Sequence, residues 1–194
     1  MTAVKKPVLS AEDYLAWEAE QSEKHEYLSG EVFAMAGASD AHVTISGNVF
    51  AALRAHLRGK PCRTYIADMK LQVQTADAFF YPDVFVSCSA ADAALPHFKR
   101  EPVLIVEVLS PATAAFDRGG KFACYRQLPS LQEYVLIDTE RMAVDVFRRD
   151  ANGHWVLYPY GPGETVELAS VAFSLPVAAI YEDVTLEVGV SARS

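Results

Sequence analysis

One stretch constrains this chain more than any other: Pro102-Val-Leu-Ile-Val-Glu107-Val-Leu-Ser-Pro111. An unbroken run of Val, Leu and Ile between prolines reads as a strand buried on both faces, which requires a sheet covered by further layers. Yet the run carries a carboxylate in its middle. An ionised glutamate there costs several kcal/mol unless it is paired or bound to a metal, so the rest of the chain must supply a partner.

Two other segments offer one. Upstream, Phe79-Phe-Tyr-Pro-Asp83-Val-Phe-Val-Ser87 reads as a second apolar strand with its own acid, and downstream Asp117-Arg-Gly-Gly-Lys121 opens a helix. Strand alternation puts Glu107 on the face of Ile105 and Leu109, and Asp83 on that of Phe85 and Ser87. If the strands are neighbours, the two acids converge. Two carboxylates and a lysine in this setting are the parts of a metal-dependent hydrolytic site, with oxygen ligands suited to Mg²⁺ and also to Mn²⁺.

A plainer role stands beside each candidate. Glu107 can be a buried acid paired with an arginine or a helix amide, and Asp83 can simply start a strand after Pro82. Lys121 can be an ordinary helix ion pair with Asp117, four residues earlier. Tyr125, one further turn along, offers either a hydroxyl contact or a core aromatic. His42 is a base, a phosphate donor or a cap-side residue, and Glu31 a third acidic ligand or an exposed strand charge. Arg63, Lys70 and Arg118 are phosphate contacts only if the site is nucleolytic. Gly119-Gly120 lacks the context of a phosphate-binding loop.

Composition narrows the field. A chain of 194 residues, 51% hydrophobic, suits a single domain over its whole length. The net charge of -8, from 25 acidic and 17 basic residues, counts against a simple DNA-binding module but not against an acidic, cation-binding enzyme. Cys62, Cys88 and Cys124 are odd in number and show no CxxC spacing, so neither a zinc site nor a disulfide framework is indicated and a reduced compartment is expected. No signal-like start is seen and no apolar run nears the roughly 18 residues of a membrane span, which makes the expected location cytoplasmic, with no membrane partner.

The element pattern predicts a helix from Ser10 to about Glu20, then a hairpin over residues 26–35 turning at Ser29-Gly30. A long helix capped by Asp40 follows, ending at Gly59. Alternating strands come at 63–67 and 70–74, and a loop fills 89–101. After the Glu107 strand, a helix from Asp117 stops at Pro129, and a strand follows at 133–138. Asp150-Ala-Asn-Gly153 turns a second hairpin between strands 142–147 and 154–158. Strand pieces at Val166 and Phe173, a short helix near Ile180 and a polar tail complete the chain.

Taken together, these pieces resemble the Uma-type family of restriction-endonuclease-like proteins in the PD-(D/E)XK nuclease superfamily. The matching residues are Glu26-Tyr-Leu-Ser-Gly-Glu31, His42, Tyr81-Pro-Asp83-Val-Phe-Val, Leu104-Ile-Val-Glu107-Val-Leu-Ser-Pro111-Ala-Thr113, Asp117-Arg-Gly-Gly-Lys121-Phe-Ala-Cys-Tyr125 and Glu133-Tyr-Val-Leu-Ile-Asp138. The resemblance implies an α/β (α+β) fold: a restriction-endonuclease-like core over about residues 38–138, with a mixed β-sheet flanked by helices and extra antiparallel hairpins at the N- and C-terminal sides. It implies Mg²⁺-dependent hydrolysis of nucleic acid, DNA first, with the ion on Asp83 and Glu107. The superfamily's lysine is expected two positions after Glu107, where this chain has Leu109, so the resemblance assigns that role to Lys121 of the following helix. A catalytically silent binding or regulatory module, acting as a homodimer, is the rival reading. Paired carboxylates also serve glycosidases, but a lysine beside them suits phosphate better.

Overall fold

The computed structural model describes residues 9–186 apart from Ala36. The polar tail from residue 187 onward lies outside the described residues. Ser10 caps α1 (Ala11–Glu18) by accepting from the Asp13 N–H. Strands β1 (His25–Leu28) and β2 (Glu31–Ala34) form the first hairpin, in which Ser29 and Gly30 take the left-handed φ values, 49° and 90°, that a two-residue turn of this hand demands. The long helix α2 (Asp40–His56) is capped by Ser39, not Asp40 as expected: the Ser39 hydroxyl lies three residues before His42 and accepts from its N–H.

Next come β3 (Arg63–Ile66), β4 (Lys70–Val73), β5 (Ala78–Phe80) and β6 (Val84–Ser87). The run Phe79–Ser87, expected as one strand, is therefore two. Pro82 has no N–H for a ladder, the chain breaks at residues 81–83, and β5 and β6 enter different sheets. The expected loop over 89–101 contains α3 (Ala90–Ala93) and the short β7 (Phe98–Lys99), and β8 (Pro102–Leu109) is the Glu107 strand.

After β8 the chain winds through α4 (Ala114–Phe116), a π-helical turn at Asp117–Lys121 and α5 (Phe122–Tyr125), starting earlier than Asp117. It returns as β9 (Glu133–Asp138), parallel to β8, which makes the expected strand–helix–strand unit. Strands β10 (Val144–Arg149) and β11 (Trp155–Tyr160) form the second hairpin, and β12 (Thr165–Leu168), β13 (Phe173–Pro176) and α6 (Val177–Ile180) close the described chain.

Six strands form one mixed sheet in the order β11-β10-β9-β8-β6-β3, and five form a second in the order β2-β1-β5-β4-β7. One face of the larger sheet, with Val84, Val106 and Val135, is covered by Ile45 and Leu53 of α2 and by Val166 and Ile180. Its other face, with Phe85, Ile105 and Leu136, packs on Leu71 and Phe80 of the smaller sheet and on Tyr125. So β8 is buried on both sides, as its sequence requires. Leu104 and Ile105 are wholly enclosed, each contributing on the order of 1.5–3 kcal/mol. Glu107 and Asp83 both belong to the face turned toward the smaller sheet.

The reading of the cysteines is overturned. Arg63 pairs with Ser87 across the antiparallel β3–β6 ladder, so Cys62 and Cys88, one position further out, lie opposite each other with Cα atoms 3.9 Å apart and form a disulfide. A separation of 26 residues hides that adjacency in the sequence. Cys124 is free and buried. Among the described residues no helix is long and apolar enough to cross a membrane.

Candidate active site

The site forms where the break at Pro82 meets the middle of β8. Strands β6 and β8 are antiparallel neighbours, with Val84 opposite Val106, so the next position outward brings Asp83 beside Glu107. The Asp83 N–H points at Glu107 Oε2 at 3.4 Å, and the Val108 N–H donates to Asp83 Oδ2 at 2.7 Å. On the remaining side, His42 Nε2 lies 2.7 Å from Asp83 Oδ1. The first turn of α2 thus fixes Asp83 from one side and the β8 backbone from the other.

Glu107 is enclosed from the opposite direction. The Tyr125 hydroxyl donates to Glu107 Oε1 at 2.9 Å, and Lys121 Nζ stands 3.5 Å from the same oxygen. Among the described residues no arginine pairs with Glu107. Leu109, where the superfamily's lysine is expected, is packed into the apolar cluster. The ammonium beside Glu107 comes instead from the helical segment. The π-helical turn brings both Asp117 and Lys121 inward: Lys121 Nζ is 3.3 Å from Asp117 Oδ1 and 2.9 Å from Glu26 Oε1. Such turns recur at functional sites because the extra residue redirects side chains without ending the helix.

Three carboxylates, on Glu26, Glu107 and Asp117, thus lie within 3.5 Å of one ammonium, and Asp83 stands beside Glu107, so acidic groups outnumber the basic one. Burial pushes the Glu107 carboxyl well above the usual carboxylate range; Lys121 pulls it down, while Asp83, Asp117 and Glu26 push it further up. Burial opposes the charge on Lys121, but Glu107, Glu26 and Asp117 outweigh it and hold the ammonium more firmly protonated than a free lysine. Burial and Glu107 likewise raise Tyr125, which remains a hydroxyl donor.

This donor set suits a hard divalent cation. Asp83 and Glu107 would supply carboxylate oxygens from adjacent strands, and the surplus negative charge is what such an ion offsets. Among the described residues no group of three or more His, Cys, Asp or Glu side chains forms an ion cage. An ion here would complete its shell with water, backbone or substrate oxygens, which is the habit of Mg²⁺.

Of the residues singled out in the sequence, Asp83, Glu107, Lys121, His42 and Tyr125 come together. Glu31 does not: it directly follows the hairpin turn and is exposed. Glu26, three positions before the Ser29-Gly30 turn of the same hairpin, is the acid that reaches the cluster, accepting from the Tyr81 N–H at 3.3 Å as well as from Lys121. Alternation held the signal, since Glu26 shares a face with Leu28, which packs into the apolar cluster around Phe80. Arg118 turns away to Asp145, at 2.9 Å. Arg63 lines a cavity of about 240 Å³ at the Ser87 end of β6, away from Asp83. Lys70 Nζ lies over the Tyr81 ring, 5.2 Å from its centroid.

A mixed sheet with two acids on adjacent strands and a lysine on the following helix defines a restriction-endonuclease-like nuclease fold. Residues 11–178 match the family model Uma2, described as "Putative restriction endonuclease", and the chain belongs to that family. It is 39% identical over 175 residues to the "Uncharacterized protein slr1290" of Synechocystis sp., covering 90% of this chain and 92% of that one. It is 34% identical over 157 residues to the "Uncharacterized protein sll1609" of the same organism, covering 77% and 86%. A crystal structure titled as a putative nuclease belonging to DUF820 from Anabaena variabilis superposes with a TM-score of 0.74 at 16% identity, covering 90% of this chain and 98% of that one.

Proposed function

We propose that the chain is a Mg²⁺-dependent endonuclease that hydrolyses phosphodiester bonds of nucleic acid, DNA in the first instance, with Mn²⁺ able to replace Mg²⁺. One observation carries the reading: Asp83 and Glu107 meet on neighbouring strands with the Lys121 ammonium 3.5 Å from Glu107. Asp83 and Glu107 would hold the ion, which when bound lowers the pKa of a water and neutralises phosphate charge. His42 and the Val108 N–H fix the Asp83 carboxylate, while Tyr125 and Lys121 fix Glu107. Lys121 also offers positive charge where the phosphorane becomes more negative. In the balanced reaction, water oxygen joins phosphorus, the bridging oxygen leaves, and the proton lost by water ends on the new alcohol.

The test is cleavage of plasmid and of single-stranded DNA in Mg²⁺ and Mn²⁺, with Asp83→Ala and Glu107→Ala alongside. Cleavage that needs the cation and vanishes in both variants is expected. Cleavage undiminished in both would sink the reading.

A catalytically silent binding module is the second reading, favoured by one distance: the nearest partner of Lys121 is Glu26, not Glu107. That reading gives the exposed Val156, Leu157 and Tyr158 of edge strand β11 to a second copy of the chain. Calorimetric titration with Mg²⁺ separates the two, since absence of binding at millimolar concentration in the folded protein supports the silent module.

A further inference from the structure

The mouth of the acid cluster is flanked by exposed aromatic rings. Phe33 is 48% exposed and lies directly across the β1–β2 ladder from Glu26, so both side chains leave the hairpin on one face. Val32 and Tyr27 leave by the other face and pack in a separate cluster with Tyr14. Phe116, just before the π-helical turn that carries Lys121, is 39% exposed. Its ring covers Gly120, the residue before Lys121; a Cβ there would come within 2.3 Å of the ring. Phe80, whose ring also faces Lys121 Nζ, supports Phe116 from beneath at a centroid distance of 6.2 Å. Large apolar residues left in water beside a polar reaction centre call for a ligand with flat apolar faces.

A duplex hides its base faces and is held mainly by many phosphate contacts, whereas this chain carries a net charge of -8. Unpaired bases expose their faces and stack on aromatic side chains.

We infer that the site takes single-stranded nucleic acid, with bases stacked on Phe33 and Phe116 beside the Lys121–Glu26 pair. The inference rests on the nuclease reading for its orientation, but its test does not depend on cleavage. Fluorescence anisotropy with a labelled mixed-sequence 12-nucleotide DNA, and with a duplex of the same sequence, gives both affinities with Ca²⁺ present in place of Mg²⁺. The single strand binds more tightly. Phe33→Ala and Phe116→Ala each weaken it by roughly five- to a hundredfold, whereas Phe33→Trp and Phe116→Trp retain it. The tryptophan variants guard against mere misfolding, because a lost ring and a lost fold then give different results.

Equal or tighter binding of the duplex overturns the inference, as does single-strand binding unaffected by either alanine variant. So does a change of oligomeric state in the alanine variants with oligonucleotide affinity intact, which would make the rim an interface between copies. If binding behaves as expected while neither DNA form is cleaved in Mg²⁺, the nuclease reading fails and the single-strand surface stands.

Discussion

Replacing Lys121 with methionine removes the ammonium that alone, among the described residues, is ion-paired to Glu26, Glu107 and Asp117, while keeping most of the side chain's length. Lys121 is 7% exposed and its ammonium lies 2.9 Å from Glu26, 3.3 Å from Asp117 and 3.5 Å from Glu107, so the variant leaves three carboxylates buried or nearly so without a neutralising partner. Breaking a buried ion pair by deleting one member costs about 3–5 kcal/mol. At roughly 2–4 °C per kcal/mol for a chain of this size, the thermal midpoint should fall by about 6–20 °C. The deficit also has a definite pH dependence. Carboxylates stripped of their lysine have folded pKa values above their unfolded ones, as burial already imposes on Glu107. Such groups stabilise the fold below the unfolded pKa and lose that contribution as pH rises through the folded value. The midpoint gap between wild type and Lys121→Met should therefore be widest near pH 8 and shrink toward pH 5, where the acids protonate. Lys121 itself adds no slope there, since its pKa is raised above an already alkaline value. Adding Glu107→Gln to the variant should recover part of the loss at high pH. Thermal denaturation followed by circular dichroism across that pH range decides the matter. A midpoint within about 3 °C of wild type near pH 8, or a deficit independent of pH, would refute the account of Lys121 as the charge that makes this cluster tolerable.

His42→Ala removes the ring that orients Asp83 at 2.7 Å, and cation affinity measured by calorimetry should drop about 10- to 100-fold with little change in fold. Cys62→Ser opens the 26-residue link between β3 and β6 and should lower stability by about 3 kcal/mol on the chain-entropy estimate, read as a lower denaturant midpoint; reducing agent should have the same effect on wild type and none on the variant. Gly120→Ala should displace the Phe116 ring, not the backbone, because the ring is partly exposed and free to swing. The gain in helix propensity, about 0.5–1 kcal/mol, would offset the lost packing, so the midpoint should move by less than about 4 °C. A drop of 10 °C would show that the π-helical turn itself gives way.

The fold was legible wherever period and punctuation agreed. The Ser29-Gly30 turn, the strand–helix–strand unit around Glu107 and the Asn-Gly hairpin all follow from local chemistry that tertiary contacts did not override. The misread strands and cysteines have a common cause, in that pairing partners are not encoded locally. Strands β3 and β4 are consecutive, alternate alike and are joined by three residues, yet they enter different sheets. Phe79–Ser87 looks like one strand because its side chains are apolar throughout, while the donor missing at Pro82 matters only where a neighbour would use it. The Cys62–Cys88 bond was invisible for the same reason, since it depends on the β3–β6 register.

The same reasoning separates the two buried glutamates of the central sheet. Glu133 begins β9 and is wholly enclosed, but its oxygens accept from Arg148 Nε at 2.8 Å and from the Ala169 and Ser170 N–H groups at 3.1 and 2.8 Å. A carboxylate so supplied with donors has a structural explanation that is already complete. Glu107, on the adjacent parallel strand, has one hydroxyl, a shared ammonium and a distant N–H, and three other acids crowd around it. From sequence alone both are acids in apolar strands, and either could have been the structural one. What distinguishes them is the donor balance of each surrounding. Glu133 sits in a shell that meets its charge, whereas Glu107 sits in one that leaves negative charge over, a surplus that a cation and a phosphate-bearing substrate would use.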